Sequence, residues 1–177
     1  MKSVATSLVI FAAIFFIGGC AVPQKVRSRD AVPECWRFKL DLATWQLGYE
    51  GEDADQALRE YVPNGQTVNH WTEMVSSGRF KDPVSPQAMY GIIKFGVLLG
   101  CSSAHVSVIE ETDDSILFEW WQDDCGGIPA QHEIRRICAD RRGTYTLSYV
   151  QKTHQMSSAD RTRWISIIKA SRVRPDA

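Results

Sequence analysis

The chain has 177 residues, 44% of them hydrophobic and 23% charged, with 20 basic against 21 acidic side chains and five cysteines. That length suits one ordinary domain with a real core, and near-average Gly and Pro contents exclude a collagenous or largely disordered chain. A net charge of −1 offers no basic excess, so no nucleic-acid partner is expected, and a mean hydropathy of −0.22 excludes a polytopic membrane protein.

In chain order the first object is Met1 to Cys20, in which Lys2 precedes an unbroken apolar run from Leu8 to Ile17. As a helix that run would reach about 15 Å, half of a bilayer core, which fits a signal-peptide apolar region better than a membrane span. It ends in Ile17-Gly18-Gly19-Cys20. This segment resembles the lipobox of bacterial lipoproteins. The resemblance implies cleavage before Cys20, diacylglycerol on its sulfur, acylation of its freed amine and attachment to the lipid bilayer. Ala21, rather than Asp, at the next position implies sorting to the outer membrane, facing the periplasm. Residues 21 to 33, with two prolines and no clear period, read as a tether.

Cys35 to Asp41 alternates strictly, with Trp36, Phe38 and Leu40 on one face, and predicts a half-buried strand. Trp45–Gly51 and Gln56–Pro63 predict two more strands around Gly51-Glu52-Asp53, and Trp71–Phe80 a fourth with weaker alternation. Ser85 and Pro86 then suit the cap and first position of a helix, with Met89, Ile92, Ile93, Gly96 and Val97 as its inward stripe and Gly100 as its end. His105–Glu110 with Ser115–Gln122, and His132–Ala139 with Thr144–Lys152, predict two hairpins. Ser157 to Asp160 resembles a capping box before a last helix carrying Trp164, Ile165 and Ile168. The fold class expected is α+β: a mostly antiparallel sheet of about seven to eight strands with two main helices packed on it. The chain divides into a cleaved signal peptide (1–19), a lipidated Cys with its tether (20–34), a single α+β domain (35–172) and a tail (173–177).

With Cys20 assigned to lipid, four cysteines remain, an even number suited to disulfides in an oxidising periplasm, with three possible pairings. Cys101 and Cys125 both sit at element ends, which favours Cys101–Cys125 and leaves Cys35 with Cys138 if their strands are neighbours. Cys101, His105, Cys125, His132 and Cys138 lack the paired short spacings of zinc ligand sets, so no metal is expected, and no cofactor motif is present. Asp123-Asp124 reads as a hydrophilic turn rather than a calcium loop. No catalytic motif stands out, so no residue is assigned as catalytic. His132, Glu133 and Arg136 on one strand are the candidate acid/base cluster, although alternation separates His132 from Glu133 and favours a solvated cross-strand ion pair. Trp120 and Trp121, adjacent on one strand, point to opposite faces and are candidates for a binding surface.

Tyr61-Val62-Pro63-Asn64-Gly65-Gln66, followed by Trp71-Thr72-Glu73-Met74, is similar to a Val-Pro-x-Gly…Trp-Thr-x-Met pattern of exported bacterial proteins. Phe118-Glu119-Trp120, Cys125-Gly126-Gly127 and Gln131 to Arg136 resemble that family's downstream pattern, although Gln66 stands where it usually has Glu. The element order also resembles PsbP-like α/β sandwiches, which implies an accessory or binding role. The expected function is therefore a membrane-anchored periplasmic lipoprotein of non-enzymatic type, with an envelope protein as partner. The alternatives are a hydrolase-like enzyme using the His132/Glu133/Arg136 strand, or a small-ligand carrier.

Overall fold

A computed structural model describes residues 36–174; the lipobox, Cys20, the tether and Cys35 lie outside the described residues. The elements run β1 (Trp36–Arg37), β2 (Trp45–Glu52), β3 (Gln56–Pro63), β4 (Glu73–Phe80), α1 (Pro86–Gly100), β5 (His105–Glu111), β6 (Ser115–Gln122), β7 (Gln131–Asp140), β8 (Gly143–Gln151), α2 (Ser158–Ala170) and β9 (Arg172–Val173). Seven strands form one antiparallel sheet in the order β2-β3-β4-β8-β7-β6-β5, and β1 pairs with β9 as a separate ribbon. The α+β class follows directly. Two meanders build the sheet. After β4 the chain passes through α1 to the far edge at β5, then works back inward until β8 pairs with β4, from Glu73↔Gln151 to Phe80↔Thr144.

The two helices lie on opposite faces, and strand alternation decides which side chains each one covers. On β6, Ile116, Phe118 and Trp120 pack with Ile93 and Val97 of α1, while Leu117 points the other way, into the core built around Trp164 and Ile168 of α2. A strand covered on both faces reads as a continuous buried run, and this one does. The α2 side is aromatic: Tyr149 stacks on Trp164 at 3.9 Å between centroids, and Trp45 meets Trp164 edge-on at 5.9 Å.

The helix caps form as the residues suggest. Ser85 Oγ accepts the Ala88 N–H at 3.2 Å, and Ser157 Oγ accepts the Asp160 N–H at 3.1 Å. The β7–β8 turn needs its glycine: Gly143 has φ of 148°, and a Cβ there would stand 2.2 Å from the Phe80 carbonyl oxygen. Gly126 and Gly127, both at positive φ, close a two-residue turn between Cys125 and Ile128.

Three expectations shift. Among the described residues the first strand spans only Trp36 and Arg37, paired with Val173 and Arg172 of β9, and it does not run on to Asp41. Phe38 and Leu40 still pack on the core, so alternation there reports burial without pairing. Val173 pairs with Trp36, which moves the end of the folded unit past residue 172. Finally, Trp71 and Thr72 belong to a loop: Gln66 Oε1 accepts the Thr72 N–H at 2.7 Å, and its Nε2 donates to Thr72 Oγ1 at 3.0 Å. A glutamate at position 66 would lack that donor.

Candidate functional site

The α2 face holds a connected group of buried polar side chains. His132, 1% exposed, accepts the Met156 N–H at Nδ1 (3.0 Å), so its proton sits on Nε2 and is donated to Glu119 Oε2 (3.2 Å). Arg161 of α2 grips the same carboxylate with two bonds of 2.7 Å. Burial pushes the Glu119 carboxyl up, but the hydrogen bonds from His132 and Arg161, with the charge of Arg161, outweigh it and hold the group at about 2. A general base needs a nitrogen that a substrate can reach, and both nitrogens of His132 are engaged inside the protein. The arrangement is a clamp fixing the start of α2 to β6 and β7.

Arg136 fixes the other end of α2. Its Nη1 donates to the carbonyls of Lys169 and Ser171, each at 3.2 Å, and its Nε to Ser115 Oγ at 3.0 Å. A cation there complements the negative end of the helix. The expected His132/Glu133/Arg136 cluster is therefore not assembled. His132 and Arg136 face α2, where each holds the helix, and Glu133 faces α1. The two tryptophans divide likewise: Trp120 lies beneath α1, and Trp121 stacks with His105 at 5.1 Å and tilts against His132 at 5.5 Å. The Glu133 carboxylate meets Arg135, two residues along its own strand, at 2.5 Å; the pair is partly buried and not cross-strand.

That pair lies on the floor of a groove of about 90 Å³ beside α1. Ile93, Gly96 and Val97 form one wall, and Trp71, Met74 and Val150 the other. Strand register sets a polar row across the sheet here, Glu60↔Ser76↔Ser148↔Arg135 on β3, β4, β8 and β7. Glu60, 4% exposed, has its Oε1 without a partner, and burial pushes its carboxyl up to about 7. Gln122, 3% exposed, lines the groove with its Nε2 equally unpartnered. At the rim, Lys152 Nζ stands 4.3 Å from the centre of the Trp71 ring.

The outer side of α1 is apolar as well. Phe95 and Leu99 are 69% and 75% exposed, and Ile92, expected in the inward stripe, joins them outside. The helix contains no acidic residue and only one cation, Lys94. Spacing alone marks too many of its positions as apolar to say which side faces in; the excess itself was the available signal.

Cys101 and Cys125 lie at disulfide distance, with Cα atoms 5.8 Å apart, and join the end of α1 to the glycine turn after β6. Cys138 has no disulfide partner among the described residues, and burial pushes its thiol above the usual range. It lines a second cavity of about 230 Å³ with Trp36, Asp114, Arg136 and Asp140. Asp124 accepts the Ala130 N–H at 2.7 Å, and Asp123 pairs with His154, so both acids serve their turns. Among the described residues no three His, Cys, Asp or Glu side chains converge in a metal-binding group. No protein-family model and no curated protein matches the chain.

Proposed function

We propose that this chain is a lipid-anchored accessory protein of the bacterial envelope that works by binding a protein partner rather than by catalysis. The anchor is assigned to Cys20, at the outer membrane facing the periplasm, on the Ile17-Gly18-Gly19-Cys20 segment and Ala21. The observation that carries the binding role is the bare apolar stripe Ile92, Phe95 and Leu99 on α1. Large exposed apolar side chains grouped on one helix face mark interaction surfaces in soluble domains. The hydrolase reading loses its support because His132 is sealed within a clamp and Glu133 stands on the other side of the sheet.

The test is crosslinking in cells followed by purification of the lipidated chain. One envelope protein should be recovered stoichiometrically with the wild type and be lost with Phe95→Asp/Leu99→Asp. Recovery of no stoichiometric partner would contradict the reading. For the anchor, Cys20→Ala should abolish acyl labelling and release the chain from membranes; persistent labelling would overturn that assignment.

A second disulfide, Cys35–Cys138, belongs to the same proposal. Cys35 directly precedes Trp36, which lines one cavity with Cys138. Maleimide labelling of the denatured, unreduced mature chain should find no free thiol. Labelling at Cys35 and Cys138 would refute the pairing.

A further inference from the structure

We infer that the groove between α1 and the sheet is a binding site for a small aliphatic carboxylate, distinct from the partner-binding stripe on the outside of the same helix. Three observations converge. First, the walls are apolar on both sides: Ile93 and Val97 from α1, Met74 and Val150 from the sheet. Gly96 stands in the same wall and adds no side chain to it, and the groove is open to solvent along its length, so an apolar tail can lie along it.

Second, the floor carries donors that the protein does not use. Arg135 gives only its Nε to Glu133, and its Nη groups make no hydrogen bond among the described residues. Glu133 thereby orients the guanidinium without occupying the edge suited to a second carboxylate, which two parallel N–H donors recognise best. Gln122 Nε2 is buried in the same lining with no partner. A buried donor left unsatisfied costs free energy that an incoming acceptor recovers.

Third, the rest of the row is chemically compatible. Ser76 and Ser148 line the groove as neutral hydroxyls. The Glu60 carboxyl beyond Ser76, held up to about 7, is largely uncharged in mildly acidic conditions and adds little repulsion there. A ligand with an oxygen-rich anionic head and an apolar tail matches the apolar walls and the unused Arg135 and Gln122 donors, and the one carboxylate in the lining, Glu133, is already paired with Arg135 Nε. A purely polar ligand would leave the apolar walls uncovered.

Trp71 and Trp120 both line the groove, so occupancy is readable in intrinsic fluorescence. The full mature chain is titrated with octanoate at pH 6, with octanol as the neutral counterpart. Octanoate should give a saturable change, and Arg135→Gln should weaken it about tenfold or more while leaving octanol unaffected. Gly96→Leu, which places a side chain on the groove wall without a helix-breaking residue, should weaken both ligands, and far-ultraviolet dichroism should confirm that each variant is folded. Phe95→Asp, on the outer stripe, should leave the titration unchanged, which separates this site from the partner surface. The inference is overturned if octanoate gives no saturable change. It is equally overturned if Arg135→Gln binds octanoate as the wild type does, since the groove would then select apolar surface alone.

Discussion

The two faces of the central sheet bury comparable polar chemistry and finish it differently. Beneath α2, His132, Glu119, Arg161 and Arg136 use one another and the carbonyls that end the helix. On the face that α1 covers, Glu60 Oε1 and Gln122 Nε2 lack partners, and Arg135 is half used. Buried charge by itself therefore does not mark a functional site here. Complete satisfaction in the His132–Glu119–Arg161 clamp marks a structural joint, and unused donors that line a groove, as at Gln122 and Arg135, mark a place built to meet something else. Trp36 Nε1 and Arg79 Nε, unpartnered on the α2 side, lie outside that groove.

The sharpest way to break that contrast is to remove one member of the clamp. Glu119→Ala leaves the Arg161 guanidinium and the His132 Nε2–H without their acceptor and should cost about 3 kcal/mol or more in denaturant unfolding. Glu133→Gln, across the sheet, keeps an acceptor for Arg135 and should cost about 1 kcal/mol. Equal losses would erase the distinction between the faces. Next in size is the Cys101–Cys125 link, with a sequence separation of 24; its removal by Cys→Ala at both positions should lower stability by about 3 kcal/mol on the chain-entropy account.

Acid and base should also act on opposite faces. Glu119 titrates near 2 in the folded chain against about 4.5 unfolded, so its stabilisation is full above pH 4.5 and is lost as pH falls toward 2. Glu60 is raised to about 7, so its relative stabilisation is full below pH 4.5 and is lost as pH rises from there to 7. Glu60→Gln should therefore flatten the decline between pH 4.5 and 7, a change on the order of 2–3 kcal/mol in unfolding free energy. An unchanged profile would mean that Glu60 finds a partner. The smallest effect is expected outside α1: Leu99→Asp should alter stability by no more than about 0.5 kcal/mol, as for a surface position, while abolishing partner recovery.

Much of the scaffold was legible because its signals are local. Ser85 and Ser157 cap their helices, the two hairpins form over the segments whose alternation predicts them, and Cys101 and Cys125 meet because each sits at the end of its element. Alternation also separated Trp120 from Trp121 and His132 from Glu133. The groove was not legible, since its floor depends on β4 pairing with β8. That contact sets Ser76 beside Ser148, far away in the sequence, and no local pattern announces it. The orientation of α1 was misjudged at Ile92 because a helix apolar on nearly every side gives periodicity little to choose between. Gln66 departs from the exported-protein pattern and has a structural explanation in the Thr72 loop closure.

The most direct test places a photo-crosslinking residue at Phe95 on α1 and, separately, at Thr162 on the exposed side of α2, in cells carrying the full chain. The account predicts a single discrete adduct with an envelope protein from position 95 and none from position 162. The same adduct from position 162, or none from either, would contradict the assignment of α1 as the working face.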